Sequence, residues 1–199
     1  MAAPSHRSAA LNFANKISTF RILTVPFFIA CLVYFSRDPG QYRFLRFAAL
    51  AIFTLAVVSD AVDGYIARRS KDQSPAGLIL DPLGDKLLLM SAFACLYFIP
   101  LPVHFPLYVL MIVISRDIII LLGAVVIFMV KQRVNIAASR WGKLTTILQM
   151  ASVFAVLLQA PFARYFWWAA VAATVISGID YIIRGFKVLY AIDTAVSHR

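Results

Sequence analysis

Asp60-Ala61-Val62-Asp63-Gly64-Tyr65-Ile66-Ala67-Arg68, then eight residues, then Gly77-Leu78-Ile79-Leu80-Asp81-Pro82-Leu83-Gly84-Asp85, sets four carboxylates into an apolar part of the chain. On insertion scales a charge at bilayer depth costs about 2.5 kcal/mol or more, so four together require a partner. The bases nearby are too few: Arg68 and Arg69 stand at the edge of the intervening loop, and Lys86 follows the last aspartate. One or two divalent cations are the simplest partner. The run therefore predicts a metal site inside a membrane protein.

Composition agrees. The chain is 62% hydrophobic and 14% charged, outside the range of soluble globular domains. All nine acids are aspartates, so the four in this run are a concentration and not a sample of a solvated surface. The net charge of +10 suits a protein lying against anionic headgroups. Nucleic acid is excluded as a partner because the basic residues are scattered at helix ends and form no tract. Cys31 and Cys95 both fall in apolar runs and read as small buried hydrophobes, not as a disulfide or metal pair.

Working outward, apolar runs cover about 17–36, 44–66, 78–99, 105–130, 142–160 and 164–186. Each approaches the ~20 residues that a helix needs to cross the hydrocarbon. Short turns rich in proline, glycine or charge separate them, as in Asp38-Pro39-Gly40, Pro100-Leu101-Pro102 and Gln159-Ala160-Pro161. The expectation is an all-α integral membrane protein with six transmembrane helices in one domain over residues 1–199. The stretch from Ser8 to Lys16, before the first span, reads either as a short interfacial helix or as a plain cytoplasmic tail.

Twelve lysines and arginines fall at one set of helix ends, among them Arg68, Lys71, Lys131, Arg140, Lys143 and Arg184. Four, Arg37, Arg43, Arg46 and Arg164, fall at the other. This bias places both termini and the loop between the aspartate pairs in the cytoplasm.

Residues advance about 100° each around a helix, so Asp60 and Asp63 share one face and Asp81 and Asp85 share another. A short loop between neighbouring helices lets all four converge at the cytoplasmic ends. Oxygen-only ligands select Mg²⁺ or Mn²⁺ over softer metals. Gly64, Ala67 and Gly77 keep the surroundings small, leaving room for a bulky ligand group near the backbone. The rival reading is a cation or proton transporter using the same acids. Such a protein needs a polar path across the membrane, and the spans show no polar ladder continuing past Asp60.

These residues resemble a family signature. The pattern D-x2-D-G-x2-A-R-x8-G-x3-D-x3-D is similar to that of the CDP-alcohol phosphotransferases, integral-membrane enzymes of phospholipid synthesis. All eight fixed positions are present: Asp60, Asp63, Gly64, Ala67, Arg68, Gly77, Asp81 and Asp85. The resemblance implies that Asp60, Asp63 and Asp81 hold two divalent ions on the diphosphate of CDP-diacylglycerol. Asp85 becomes the general base and touches metal as well. Gly64, Ala67, Arg68 and Gly77 receive the CDP-lipid. A homodimer in the bacterial inner membrane, among its membrane lipids, is also implied.

Several stretches resemble the phosphatidylglycerophosphate synthases of this family. They include Asn15 to Pro26, Leu80-Asp81-Pro82 with Gly84-Asp85-Lys86, Ser115-Arg116-Asp117, Gly142-Lys143 with Thr145, Thr146 and Gln149, and Ser177-Gly178 with Tyr181. That likeness implies glycerol 3-phosphate as acceptor. Arg21 in the first span, Arg116 in the fourth, and Arg140 with Lys143 at the start of the fifth are the cations suited to hold an anionic acceptor. Of these, Arg116, Arg140 and Lys143 are the expected acceptor-binding residues. Arg116-Asp117 also resembles the cardiolipin synthases, which makes phosphatidylglycerol the alternative acceptor. The bland alternatives are an Arg116–Asp117 ion pair, and Arg140 and Lys143 snorkelling to headgroups.

Overall fold

A computed structural model describes the backbone of residues 23–69, 77–99, 101–131 and 140–196, with side chains over 23–59, 86–99, 101–123 and 140–185. Among these residues there are six helices and no strand: α1 (Leu23–Arg37), α2 (Arg43–Arg69), α3 (Gly77–Phe98), α4 (Leu107–Lys131), α5 (Arg140–Leu157) and α6 (Ala163–Val196). The interfacial helix expected over Ser8 to Lys16, Arg21, and the loop residues 70–76 and 132–139 lie outside the described residues.

The chain divides after His104 into two compact units. In the first, α1 stops where Pro39 disfavours helix at the preceding Asp38. The Asp38 carboxylate then turns back and accepts from the amides of Gly40 and Gln41, both at 3.0 Å. This local turn reverses the chain into α2. Phe28 of α1 meets Phe53 of α2 with ring centroids 6.0 Å apart, and both side chains are fully buried beside Leu32 and Ala49.

In the second unit α6 packs against both α4 and α5. Phe105 and Trp167 meet edge to face with centroids 5.9 Å apart, and Tyr108 lies against Trp168. The turn after α5 carries Gln159 at a φ of 56°, the left-handed conformation that usually calls for glycine. The amide of Ala160 bonds back to the Ala155 carbonyl at 2.9 Å, and the Gln159 side chain donates to the Val156 carbonyl at 2.8 Å. Carbonyls left over at the helix end are satisfied in this way, and Pro161 prevents the helix from resuming.

The outer faces are apolar. Phe27, Leu55, Phe98, Ile147 and Tyr165 are all more than 60% exposed, an arrangement suited to lipid as the solvent. Within the described residues Ala163–Gly185 is long and apolar enough to cross a bilayer, and Leu23–Arg37 and Lys86–Phe98 are shorter apolar helices. One boundary differs from the sequence expectation. The last apolar run ends near 186, whereas α6 continues to Val196. Nothing from Phe186 onward is a helix breaker, so the backbone keeps its hydrogen bonds after the hydropathy falls.

Candidate active site

The four motif aspartates all stand on helices. Asp60 and Asp63, with Gly64, Ala67 and Arg68, occupy the last three turns of α2, and Gly77, Asp81 and Asp85 occupy the first turns of α3. The side chains of these eight residues lie outside the described residues. Helix geometry alone separates Asp60 from Asp63 by about 60° around the axis and Asp81 from Asp85 by about 40°. Each pair therefore shares a face. Gly77 is the first helical residue of α3, and the seven-residue connection 70–76 joins it to α2.

Pro82 lies within α3, one residue after Asp81. Proline has no N–H, so the Leu78 carbonyl, four residues earlier, loses its usual helical donor. The helix thus leaves a backbone acceptor without its helical donor in the turn before a motif carboxylate. A set of carboxylates with no nitrogen or sulfur donor in either motif segment matches the chemistry of a hard divalent ion. Among the described residues, no three histidine, cysteine or acidic side chains gather.

The side chains of Arg116, Arg140 and Lys143 are described. Arg116 lies on α4 with its side chain 11% exposed, and Asp117 beside it is 6% exposed. One Arg116 terminal nitrogen, Nη1, donates to Asp117 Oδ1 at 2.7 Å, and Nη2 donates to Ser177 Oγ on α6 at 2.9 Å. The Arg116 Nε is buried and has no hydrogen-bond partner. A guanidinium offers five N–H groups, so this one is held at two points with donors to spare. The ion pair with Asp117 is present, as the sequence allowed. Ser177 as the second partner was not foreseen, because it lies 61 residues away in the chain.

Arg140 and Lys143 are exposed in the first turn of α5. Positive side chains there oppose the helix dipole and gain from any anion that approaches. Thr145 on the same helix donates to the Ala173 carbonyl of α6 at 2.9 Å, and Gln149 donates to Thr174 Oγ1 at 3.0 Å. These two helices run antiparallel, so one turn before Thr145 is level with Ser177, where Arg116 is held. The structure thereby brings the start of α5 and Arg116 to the same level of α6. Arg184, counted above only for orientation, pairs with Asp180 at 2.9 Å one turn further on.

With the helices in place, comparison with known proteins identifies the class. The profile of the CDP-alcohol phosphatidyltransferase family matches residues 11–176, and the chain belongs to that family. Among its relatives is a protein of Mycobacterium tuberculosis called a probable phosphatidylglycerophosphate synthase, 30% identical over 91% of this chain and 85% of the relative. A Bacillus subtilis protein named CDP-diacylglycerol-glycerol-3-phosphate 3-phosphatidyltransferase is 31% identical over 89% of this chain and 97% of its own length. The Haemophilus influenzae protein of the same name is 29% identical over 92% of this chain and 93% of its own.

Proposed function

We propose that this enzyme transfers the phosphatidyl group of CDP-diacylglycerol to sn-glycerol 3-phosphate, releasing CMP and forming phosphatidylglycerophosphate. The observation that carries the reading is the complete eight-position aspartate pattern, standing on the end of α2 and the start of α3. The names of the full-length relatives support the choice of donor and acceptor. Asp60, Asp63 and Asp81, with Asp85 at the margin, would hold two Mg²⁺ or Mn²⁺ ions. When bound, such ions neutralise the diphosphate and stabilise the leaving CMP.

The protein's own residues do the rest. Asp85 accepts the proton of the acceptor hydroxyl as its oxygen attacks the lipid-side phosphorus. The bond between that phosphorus and the oxygen bridging to CMP breaks, and CMP leaves with the electron pair. Gly64, Ala67, Arg68 and Gly77 receive the CDP-lipid. Arg116, Arg140 and Lys143 hold the phosphate of the acceptor, whose dianion would also satisfy the unpartnered Arg116 Nε. All six helices cross the bacterial inner membrane as a homodimer, with both chain ends and the active site cytoplasmic.

CMP release from CDP-diacylglycerol and Mg²⁺ by the purified protein tests this reading. Glycerol 3-phosphate, phosphatidylglycerol and inositol phosphate are offered in turn. Rapid, metal-dependent release with glycerol 3-phosphate alone is expected. Release only with phosphatidylglycerol would replace the acceptor, and failure to bind CDP-diacylglycerol would end the reading.

A further inference from the structure

Among the described residues, two side-chain bonds join α4 to α6, and both span 61 residues. Arg116 donates to Ser177, and the Tyr181 hydroxyl donates to the Ile120 carbonyl at 3.0 Å. Arg116 to Ile120 is about one helical turn, and so is Ser177 to Tyr181. The two helices therefore run parallel and in step over this turn. Gly178 lies between the two bonds, and a Cβ placed there would sit 3.7 Å from Arg116 Cγ, in ordinary contact with the arginine stem.

Gly123 is the tight point. A Cβ added there would lie 2.8 Å from Tyr181 Cε1 and 3.1 Å from its hydroxyl oxygen. Only the hydrogen of glycine lets the phenol ring lie flat enough on α4 to reach Ile120. That carbonyl already faces the amide one turn ahead in its own helix, so the phenol uses its second lone pair. The bond rescues no orphaned backbone group. What it fixes is the axial register of α4 against α6, and the mechanism above assigns no role to either residue.

We propose that Gly123 and Tyr181 form a positioning lock that keeps Arg116 seated on Ser177, and so aims its uncommitted N–H groups at the phosphate of the acceptor. The inference rests on the reading that Arg116 holds that phosphate. Tyr181 is a positioning residue, since it touches neither substrate. Loss of the lock lets α4 shift along α6, and the Arg116 guanidinium then loses one of its two anchors. Neither bond of the lock involves a residue of α2 or α3, where the proposed donor-side residues stand.

The test is steady-state kinetics on the full chain in lipid, with Tyr181→Phe, Gly123→Ala, Arg116→Lys and the double variant of Arg116→Lys with Tyr181→Phe. Tyr181→Phe keeps the ring and removes only the hydroxyl, which protects the fold. It is expected to raise KM for glycerol 3-phosphate about three- to tenfold, the factor one neutral hydrogen bond is worth. The KM for CDP-diacylglycerol and kcat at saturating acceptor stay within about twofold, as loss of uniform binding to one substrate requires. In the Arg116→Lys background the same change adds nothing further, because both act through one group. If Arg116→Lys raises the acceptor KM but Tyr181→Phe does not, or adds its full factor in the double variant, the lock is refuted and the acceptor reading stands. If Arg116→Lys leaves the acceptor KM unchanged, the acceptor reading fails and the inference falls with it.

Discussion

The two compact units hold their charge in opposite ways. In the first, the groups proposed to carry the chemistry are acids, all within 26 consecutive residues, Asp60 to Asp85, and each pair is set by the pitch of a single helix. In the second they are cations, and the best-defined of them, Arg116, is placed by a serine on another helix. The first arrangement is local and the second is tertiary. A metal-binding acid set needs only spacing along the chain, whereas an anion-binding guanidinium needs its plane held from two sides.

This contrast is broken most directly at Asp85. Asp85→Asn is expected to cut CMP release about 10³-fold, the range for loss of a general base, while binding of CDP-diacylglycerol survives. Equal loss of binding and rate would make Asp85 a ligand only. Next in size, Arg116→Ala should raise KM for the acceptor about tenfold or more, since a charge-assisted bond is worth roughly 1.5–3 kcal/mol. An unchanged acceptor KM would turn the second unit's buried pair into scaffolding.

A smaller effect sharpens the line between site and scaffold. Gln149 is fully buried and bonds to Thr174, so Gln149→Leu should lower stability by about 1 kcal/mol without changing either KM. Thermal unfolding in detergent, run beside the kinetics, separates the two. The smallest expected change is Gln159→Gly. Relief of the left-handed backbone, about 1 kcal/mol, offsets the lost bond to Val156, and the unfolding midpoint should move by no more than a few degrees.

What was legible from the residues follows the same division. The apolar run 44–66 became α2 and the run 78–99 became α3, because unbroken hydrophobic stretches between turn signals leave the backbone little alternative to helix. Gln159-Ala160-Pro161 was readable as a turn for a similarly local reason. The Ser177 partner of Arg116 and the fit of Tyr181 over Gly123 were not readable. Serine, tyrosine and glycine in an apolar helix carry no sign of which neighbour they will meet, and here each meets a residue more than 50 positions away. The extension of α6 to Val196 was missed because hydropathy marks where lipid ends, not where a helix does.

The adjacency of Arg116 and Asp117 has a consequence for biosynthesis. A lone arginine or aspartate at the centre of a span adds about 2.5–3.5 kcal/mol to the cost of entering the bilayer from the translocon. Neighbours in sequence can neutralise each other while α4 is still a single helix, before α6 has been made. On the proposed six-span topology the cation thus reaches the membrane already escorted, and Ser177, 61 residues after Arg116, has only to choose its orientation.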